Sequence, residues 1–429
     1  MRVLVVGSGA REHALAWKLA GEPAVAEVVC APGNAGMARM TRCVALDAAD
    51  PAAVADLASR ERVDLTVVGP EQPLERGVAD VFQDRRRPLL GPSQAAARLE
   101  TSKVFAKQFM ARHGVPTARF VACESPEEAL AAIRRGELGL PLVVKADGLA
   151  AGKGVVVAED RASAEAAVRD AMVDRRFGAA GSRVVLEECL RGTEASFFVL
   201  ADGRAALTLG SAQDHKRALD DDRGPNTGGM GAFAPSPLID DAARRIILTR
   251  IVEPVLAGLA GEGVPYRGFL YVGLMMTADG PQVIEFNVRL GDPEAQVVLP
   301  MIDGELAPLL AAAAAGDLGH ATCRTRPEPH VGVVLASGGY PGPYETGKII
   351  AGLEAAEAVD GVTVFHAGTT ARDGRIVTSG GRVLTVVARG HDFASAIARA
   401  YEGVGKISFD GMQYRSDIGR KALAPERVP

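Results

Sequence analysis

The sequence predicts a mixed α/β and α+β chain in three parts. An N-terminal parallel-sheet domain is expected over 1–100 and a central domain over 101–325, with a small mobile lid at about 120–190 inside it. A β-rich α+β domain follows over 326–429. Three observations predict this division. The first hundred residues alternate continuous apolar runs with helical patterns, as a parallel sheet covered on both faces requires. The segment "LPLVVKADGLAAGKGVVVAED" reads strand, glycine loop, strand, a hairpin and not a βαβ unit. The last hundred residues change to short strands broken by Gly/Pro turns.

The elements follow in order. "RVLVVG" is a buried strand, "REHALAWKLAG" a helix and "VAEVVCAPG" a strand. "PAAVADLASRERV" is a helix, "DLTVVGPE" a strand, "LERGVADVFQDR" a helix and "RPLLGPS" a last short strand. Ligands bind beyond the carboxyl ends of such strands, where "GSGAREH", "APGNAG", "VGPEQP" and "LGPS" fall. The helix starting at Thr101 stops at Gly114, with Pro116 beyond it. The hairpin, the helix "RASAEAAVRDAMVDRRF" and the strand "SRVVLEECL" complete the lid. Next come the strand "EASFFVLADG", a long helix from about Asp240 to Ala260, paired strands "GFLYVGLMM" and "PQVIEFNVRL", and the helix "DGELAPLLAAAAAG". "HVGVVLAS", "TVFHAGTT" and "GRVLTVVARG" are strands of the last part, and "DFASAIARAYEGVGKI" is its helix.

Composition narrows the function. Of 429 residues 48% are hydrophobic, enough for several cores, and aromatics at 5% leave those cores to aliphatic side chains. A net charge of −5 gives no footprint for nucleic acid or anionic lipid. The apolar run Leu306–Gly316 is too short to span a bilayer. A strand beginning at once after Met1 leaves no room for a signal peptide. Cys30, Cys43, Cys123, Cys189 and Cys323 form no C-x-x-C pair, which fits a reducing cytoplasm and argues against a zinc site or disulfide frame. A cytoplasmic enzyme is expected, and a monomer, since no hydrophobic stripe marks an assembly surface.

Four motifs carry chemistry. "GSGAREH" lacks the third glycine of a dinucleotide fingerprint, because Glu12 stands in its place. Its loop and helix N-terminus still offer N–H groups to a phosphate, with charge from Arg11 and His13. In "VVKADGLAAGKGV", Lys145 at a strand end reaches phosphates as a point charge, and the loop Gly148–Gly154 closes over them. It is not a P-loop, because Lys153 is followed by Gly154. "VVLEECLRGTE" places Glu187 and Glu188 at a strand end, suited to an adenine edge or ribose hydroxyls. In "VIEFNVRLGDPE", alternation directs Glu285, Asn287 and Arg289 to one face and Ile284, Phe286 and Val288 to the core. One carboxylate and one amide oxygen, completed by waters and phosphates, suit Mg²⁺, and Arg289 neutralises a transferring phosphoryl group.

The order of lysine helix, strand lysine with glycine loop, E-E hinge and E-x-N strand resembles the ATP-grasp superfamily. The strings "VLVVGSGAREHALAWKLA", "APGNAG", "GPEQPL", "KADGLAAGKGV", "AQDHKRALDDDRGPNTGGMGAF", "EFNVRLGDPE" and "GGYPGPYETG" together resemble the phosphoribosylamine–glycine ligase (glycinamide ribonucleotide synthetase) family, from Met1 to about Ile418. Val288 and Leu290 depart from the Cys and Phe often found there, which touches local packing only. The resemblance implies a pre-ATP-grasp N-terminal domain, an ATP-grasp core, and ligation of glycine to 5-phosphoribosylamine through glycyl phosphate, in purine biosynthesis. It implies ATP and Mg²⁺, with Mn²⁺ as an alternative, and small-molecule partners without nucleic acid or membrane. ATP phosphates would meet Lys103, Lys145, Gly152, Lys153 and Gly154; adenine would meet Glu187, Cys189 and Leu190, and ribose Glu194. Glu285 and Asn287 would bind the metal, with any third protein ligand undetermined. Gly9, Arg11, Glu12, His13, Gly33, Asn34, Pro70 and Glu71 would take phosphoribosylamine. Asp214 would receive the ammonium of glycine, and His215, Lys216 and Arg217 an anion, with Asp214, Lys216 and Arg289 forming the catalytic set. Asn226, Gly228 and Gly229 would let backbone approach a substrate as small as glycine. Asp220–Asp222 are expected as a solvated tip. Two alternatives share parts of this pattern: an ATP-grasp carboxylase using bicarbonate, against which the strings at 214–231 argue, and an NAD oxidoreductase, against which Glu12 counts.

Overall fold

A computed structural model describes residues 1–149 and 154–423. Five parallel strands open the chain: β1 (Arg2–Gly7), β2 (Glu27–Pro32), β3 (Arg42–Cys43), β4 (Leu65–Val68) and β5 (Leu89–Leu90), in spatial order β3-β2-β1-β4-β5. Alternate residues of β1 enter different cores, Leu4 and Val6 one, Val3 and Val5 the other, so both faces are covered. Strand order reverses at β1, and the turns after β1, β2 and β4 gather at that carboxyl edge. Helices start where the sequence supplies caps. Asp50 accepts from the N–H groups of Ala52 and Ala53, with Pro51 at the first helical position. Ser102 caps the helix Lys103–His113, which ends on Gly114 at φ +65°.

A second unit has its own core of Cys123, Ile133, Leu142, Val144, Val168 and Leu186, among others. Its antiparallel sheet comprises β6 (Phe120–Cys123), β7 (Leu142–Ala146), β8 (Val155–Ala158) and β9 (Val184–Glu188), in order β6-β9-β7-β8. β7 and β8 form the expected hairpin, pairing Lys145 with Val155.

The largest sheet runs through the middle of the molecule. β10 (Thr193–Asp202), β11 (Ala206–Asp214), β14 (Gly231–Ala234), β15 (Arg267–Thr277) and β16 (Gly280–Asn287) are central; β12 (Arg217–Leu219) pairs with β13 (Arg223–Asn226) as a separate ribbon. β17 (Ile302–Asp303) and β18 (Arg324–Thr325) form a short pair, as do β21 (Thr369–Arg372) and β22 (Arg375–Thr378). β19 (His330–Ser337), β20 (Val362–His366), β23 (Arg382–Arg389) and β24 (Met412–Gln413) continue the large sheet, whose order is β16-β15-β10-β11-β14-β19-β23-β20, with β24 against β19. The central and C-terminal parts therefore share one antiparallel sheet, joined where Gly231–Ala234 pairs with His330–Val333.

Two expectations change. The long helix is broken into Asp241–Ile247, a π turn at Leu248–Val252, and Glu253–Gly261. Pro254 has no N–H to continue the α ladder, and the wider turn precedes it. The acidic triplet is exposed at Asp221 and Asp222, as a tip would be, but it is also tied to the C-terminal segment. Asp220 accepts from the N–H and hydroxyl of Ser416, the N–H of Asp221 donates to Asp417, and Asp222 pairs with Arg415 and Lys421. Arg415 is almost fully buried and bonds Asp417 at 2.6 Å, and Asp222 adds a second counter-charge to this cation far along the chain.

Candidate active site

Three lysines from two elements, the helix Lys103–His113 and β7, come together here. Lys103, at the start of its helix, donates to the carbonyl of Gly148 at 3.0 Å. Burial lowers its pKa; Glu285 opposes that shift and Lys145 adds to it. Lys145 on β7 donates to the carbonyl of Ile284 at 3.1 Å and pairs with Glu187 at 3.0 Å. Lys107, one turn after Lys103, holds the other oxygen of Glu187 at 2.9 Å. Glu187, expected at adenine, is thus buried between two lysines because β7–β9 pairing puts both strands' inward residues on one face. Glu188 bonds the N–H and guanidinium of Arg119 instead. Cys189 and Leu190 follow β9, half-buried. Gly154 precedes β8, while Gly152 and Lys153 lie outside the described residues.

A crevice beside these lysines is lined by Glu194, Asp214, Lys216, Tyr271, Ile284 and Glu285, among others. Lys216 bonds Glu194 at 2.5 Å. Burial opposes the charge of Lys216, yet Glu194 and Asp214 hold its pKa well above the ordinary value. Burial raises the pKa of Asp214, against the pull of Lys216 and with the support of Glu194 and Glu285. Glu194, expected at ribose, thus pairs with Lys216, whose charge also acts on Asp214, expected at an ammonium group. Among the described residues no hydrogen bond or ion pair engages the side chains of Glu285 or Asn287. Two hard oxygen donors left free, one of them close enough to Lys103 to act on its charge, fit Mg²⁺. No cluster of three His, Cys, Asp or Glu suited to a metal occurs among the described residues.

Three expectations at this site are corrected. Ile284 lines the crevice and is absent from the core, which takes Val283, Phe286 and Val288. A bulge causes this: Gly273 pairs with Glu285 but Leu274 pairs with Val283, so strict alternation fails at Ile284. His215 is no cation. It is buried against Phe233, and burial, with Lys421 and Arg415 nearby, lowers its pKa to about 3. Arg217 turns away to the carbonyl of Gly224, across the ribbon that also carries Asn226.

Arg289 lies past the end of β16 and points to the N-terminal part, pairing with Glu71 at 2.9 Å and Glu100 at 2.8 Å. Burial disfavours ionisation of Glu71, but Arg289 and Arg11 bring its pKa down to about 2. Pro70 caps the short helix that Glu71 begins. Arg11 bonds Glu12 at 2.5 Å and the carbonyl of Leu290 at 3.2 Å. Glu12 is buried, and its second oxygen accepts from the N–H of Gly9 at 2.6 Å. A Cβ on Gly69 would fall 2.1 Å from Glu12, so the carboxylate fills space that glycines leave around it. His13 is also neutral: burial and the neighbouring His366 lower its pKa to about 3, and its Nδ1 accepts from the N–H of His366 at 2.8 Å. Asn34, after Gly33 at φ +74°, donates to the carbonyls of Ser8 and His366 and accepts from the N–H groups of Gly36 and Met37. The N-terminal turns thus converge on the carboxyl edge of β1, with a C-terminal loop closing against them.

Sequence patterns missed several residues. Asp147 accepts from Ser102, the N–H of Val104 and Arg183, tying the second unit to the lysine helix. Alternation along β7 and its pairing with β8 held a signal for Val143 and Val157, which share the face of Lys145 and leave an apolar wall there.

Models of the phosphoribosylglycinamide synthetase N, ATP-grasp and C domains match residues 1–100, 101–295 and 330–421 in turn. The chain belongs to the phosphoribosylglycinamide synthetase family. A phosphoribosylamine–glycine ligase of Pseudomonas aeruginosa is 51% identical over 430 residues, covering 100% of this chain and 99% of the relative. One from Escherichia coli is 50% identical over 431 residues, covering both fully at 100%. The crystal structure of the Thermotoga maritima phosphoribosylamine–glycine ligase superposes with a TM-score of 0.85 at 34% identity, over 97% of this chain and 100% of that one. A biotin carboxylase from Campylobacter jejuni shares the fold at a TM-score of 0.75 and 17% identity, over 99% of this chain and 95% of that one. As a member of the synthetase family the chain is an ATP-grasp ligase of purine biosynthesis. No helix among the described residues is long and apolar enough to cross a membrane.

Proposed function

We propose that the chain joins glycine to 5-phosphoribosylamine, with ATP converted to ADP and phosphate, through glycyl phosphate. A carboxylate oxygen of glycine attacks the γ-phosphorus, and ADP leaves. The amine nitrogen then attacks the acyl carbon, the C–O bond to phosphate breaks, and the nitrogen gives up a proton. Lys103 and Lys145 hold the phosphates, and the apolar wall beyond Lys145, with Cys189 and Leu190, takes adenine. Glu285 and Asn287 would hold Mg²⁺, or Mn²⁺ in its place, which would supply charge neutralisation for the transferring phosphoryl group. Asp214 and Lys216 place glycine, and the turns around Gly9, Asn34 and Pro70 place phosphoribosylamine.

Arg289 holds Glu71 and Glu100, and in this role it orients the acceptor side. The reaction needs positioning and charge, and no covalent nucleophile. The observation that carries the reading is the pair of unengaged donors on one face of β16, Glu285 and Asn287, with Glu285 lining the crevice that also holds Asp214 and Lys216. The chain is further proposed to act as a cytoplasmic monomer. ADP release measured with ATP, glycine or 5-phosphoribosylamine omitted in turn tests the reading. Release that depends on bicarbonate and ignores glycine would overturn it.

A further inference from the structure

Two glycine-rich turns meet where the central and C-terminal strands join. One is Thr227–Gly229 and the other Gly291–Pro293; a Cβ on Gly229 would lie 2.4 Å from Pro293. Arg382, the first residue of β23, enters between them. Its Nη1 donates to the carbonyls of Gly228 at 2.5 Å and Asp292 at 2.7 Å, with that of Gly229 at 3.5 Å. Its Nη2 stands 3.4 Å from the carboxylate of Asp292. The hydroxyl of Tyr340 accepts from the N–H of Gly228 at 2.9 Å. The first turn is tied back to the phosphoryl side, because Thr227 Oγ1 donates to the carbonyl of Lys216 at 2.9 Å. The second turn faces the acceptor side. Asp292 Oδ1 accepts from Gln296 at 2.7 Å, and Oδ2 lies 3.3 Å from where a Cβ of Gly9 would stand. One guanidinium from the C-terminal strands therefore bridges both halves of the cleft.

We propose that Arg382 is a positioning residue for the acceptor step: it fixes Asp292 and the Thr227–Gly229 turn in one frame, so that the amine meets the acyl carbon. The inference rests on the ligase reading and on its glycyl phosphate route. In that step the N–C bond forms, the C–O bond to phosphate breaks with its electron pair leaving on phosphate, and the nitrogen's proton passes to the departing phosphate. Nη1 alone serves the two loops, and the second arm of the guanidinium faces the Asp292 carboxylate, an approach that a lysine ammonium on one nitrogen does not reproduce.

The test separates the two half-reactions in the full-length enzyme. Glycyl phosphate is trapped by hydroxylamine as glycyl hydroxamate. Ligation is followed with 5-phosphoribosylamine formed in situ from ribose 5-phosphate and ammonia. In Arg382→Met, ligation kcat is expected to fall about thirtyfold while hydroxamate formation changes about threefold or less, the scale of a misplaced reactant. Added guanidinium ion restores part of the ligation, and Arg382→Lys restores less than wild type. Tyr340→Phe, which removes only the acceptor for Gly228, shows the same selective loss at about threefold to tenfold; it decides the matter if Arg382→Met fails to fold. A parallel fall in both assays, or a fall in neither, overturns the proposal. A wild-type enzyme without glycine-dependent ADP release sinks the ligase reading itself, whatever Arg382 does.

Discussion

Replacing Glu187 by glutamine tests how the lid holds its lysine. Glu187 is 3% exposed and meets Lys107 at 2.9 Å and Lys145 at 3.0 Å. Removing its charge leaves two buried ammonium groups without their anion. Breaking a buried pair from one side costs roughly 3–5 kcal/mol, and the lower end applies because the amide still accepts a hydrogen bond. At roughly 2–4 °C per kcal/mol for a domain of 150–250 residues, about 3 kcal/mol lowers Tm by about 6–12 °C. Lys145 also loses its fixed position, so KM for ATP rises about tenfold, about 1.4 kcal/mol of binding. Calorimetry and ADP-release kinetics measure both. Replacing Lys107 by methionine in the same chain should recover part of the stability, because it removes one of the orphaned charges.

A pH dependence accompanies this. Burial lowers the pKa of Lys107 to about 8, against the pull of Glu187, from an ordinary 10.5. The unfolded chain therefore binds more protons between these values, and stability rises with pH across that window. In Glu187→Gln the window opens at lower pH. A Tm within 1 °C of wild type, flat in pH, together with unchanged KM, would refute the reasoning.

Glu285→Gln should fold normally and lose most turnover, at least about a hundredfold, if it carries the metal between the phosphates; wild-type kcat at saturating Mg²⁺ would remove it from the site. Arg289→Lys keeps the charge but cannot hold Glu71 and Glu100 together. It should cost roughly 1–3 kcal/mol and lower kcat, read by denaturant titration and steady-state kinetics. An unaltered protein would mean that one donor suffices. Glu294 has its pKa raised to about 7 by burial and by Asp214, against an ordinary 4.5. The folded state keeps that proton longer than the unfolded one, so this group's contribution is complete below 4.5 and is lost as pH rises through about 7. Glu294→Gln should flatten Tm over that range, and an identical pH profile would contradict the burial argument.

The sequence was most readable where one local rule decided the outcome. Continuous apolar strands in the first hundred residues defined a parallel sheet, and the glycine loop after Lys145 defined a hairpin. Strand alternation set Glu285 and Asn287 on one face, but it misplaced Ile284, because a one-residue bulge against β15 breaks the period and leaves no mark in composition. Charge was read less well than shape. His13 and His215 count as potential cations in a string of letters, yet burial makes both neutral. Asp220–Asp222 resemble a solvated tip until Arg415 and Lys421, almost two hundred residues on, supply their partners. Arg382 was invisible for the same reason: an isolated arginine beginning a strand gives no hint that two distant turns will hang on it.

The shared sheet also governs how the molecule can be made. β14 is an interior strand only because β19, a hundred residues later, lies beside it. A nascent chain that has emerged through residue 300 carries β14 as a bare edge, with N–H and C=O groups open to any strand that passes. Such non-local pairing closes slowly, and exposed edges are where growing chains aggregate. Synthesis order thus leaves the large sheet unfinished until the last quarter of the protein arrives, and that interval is where a chaperone or a paused ribosome would act on yield.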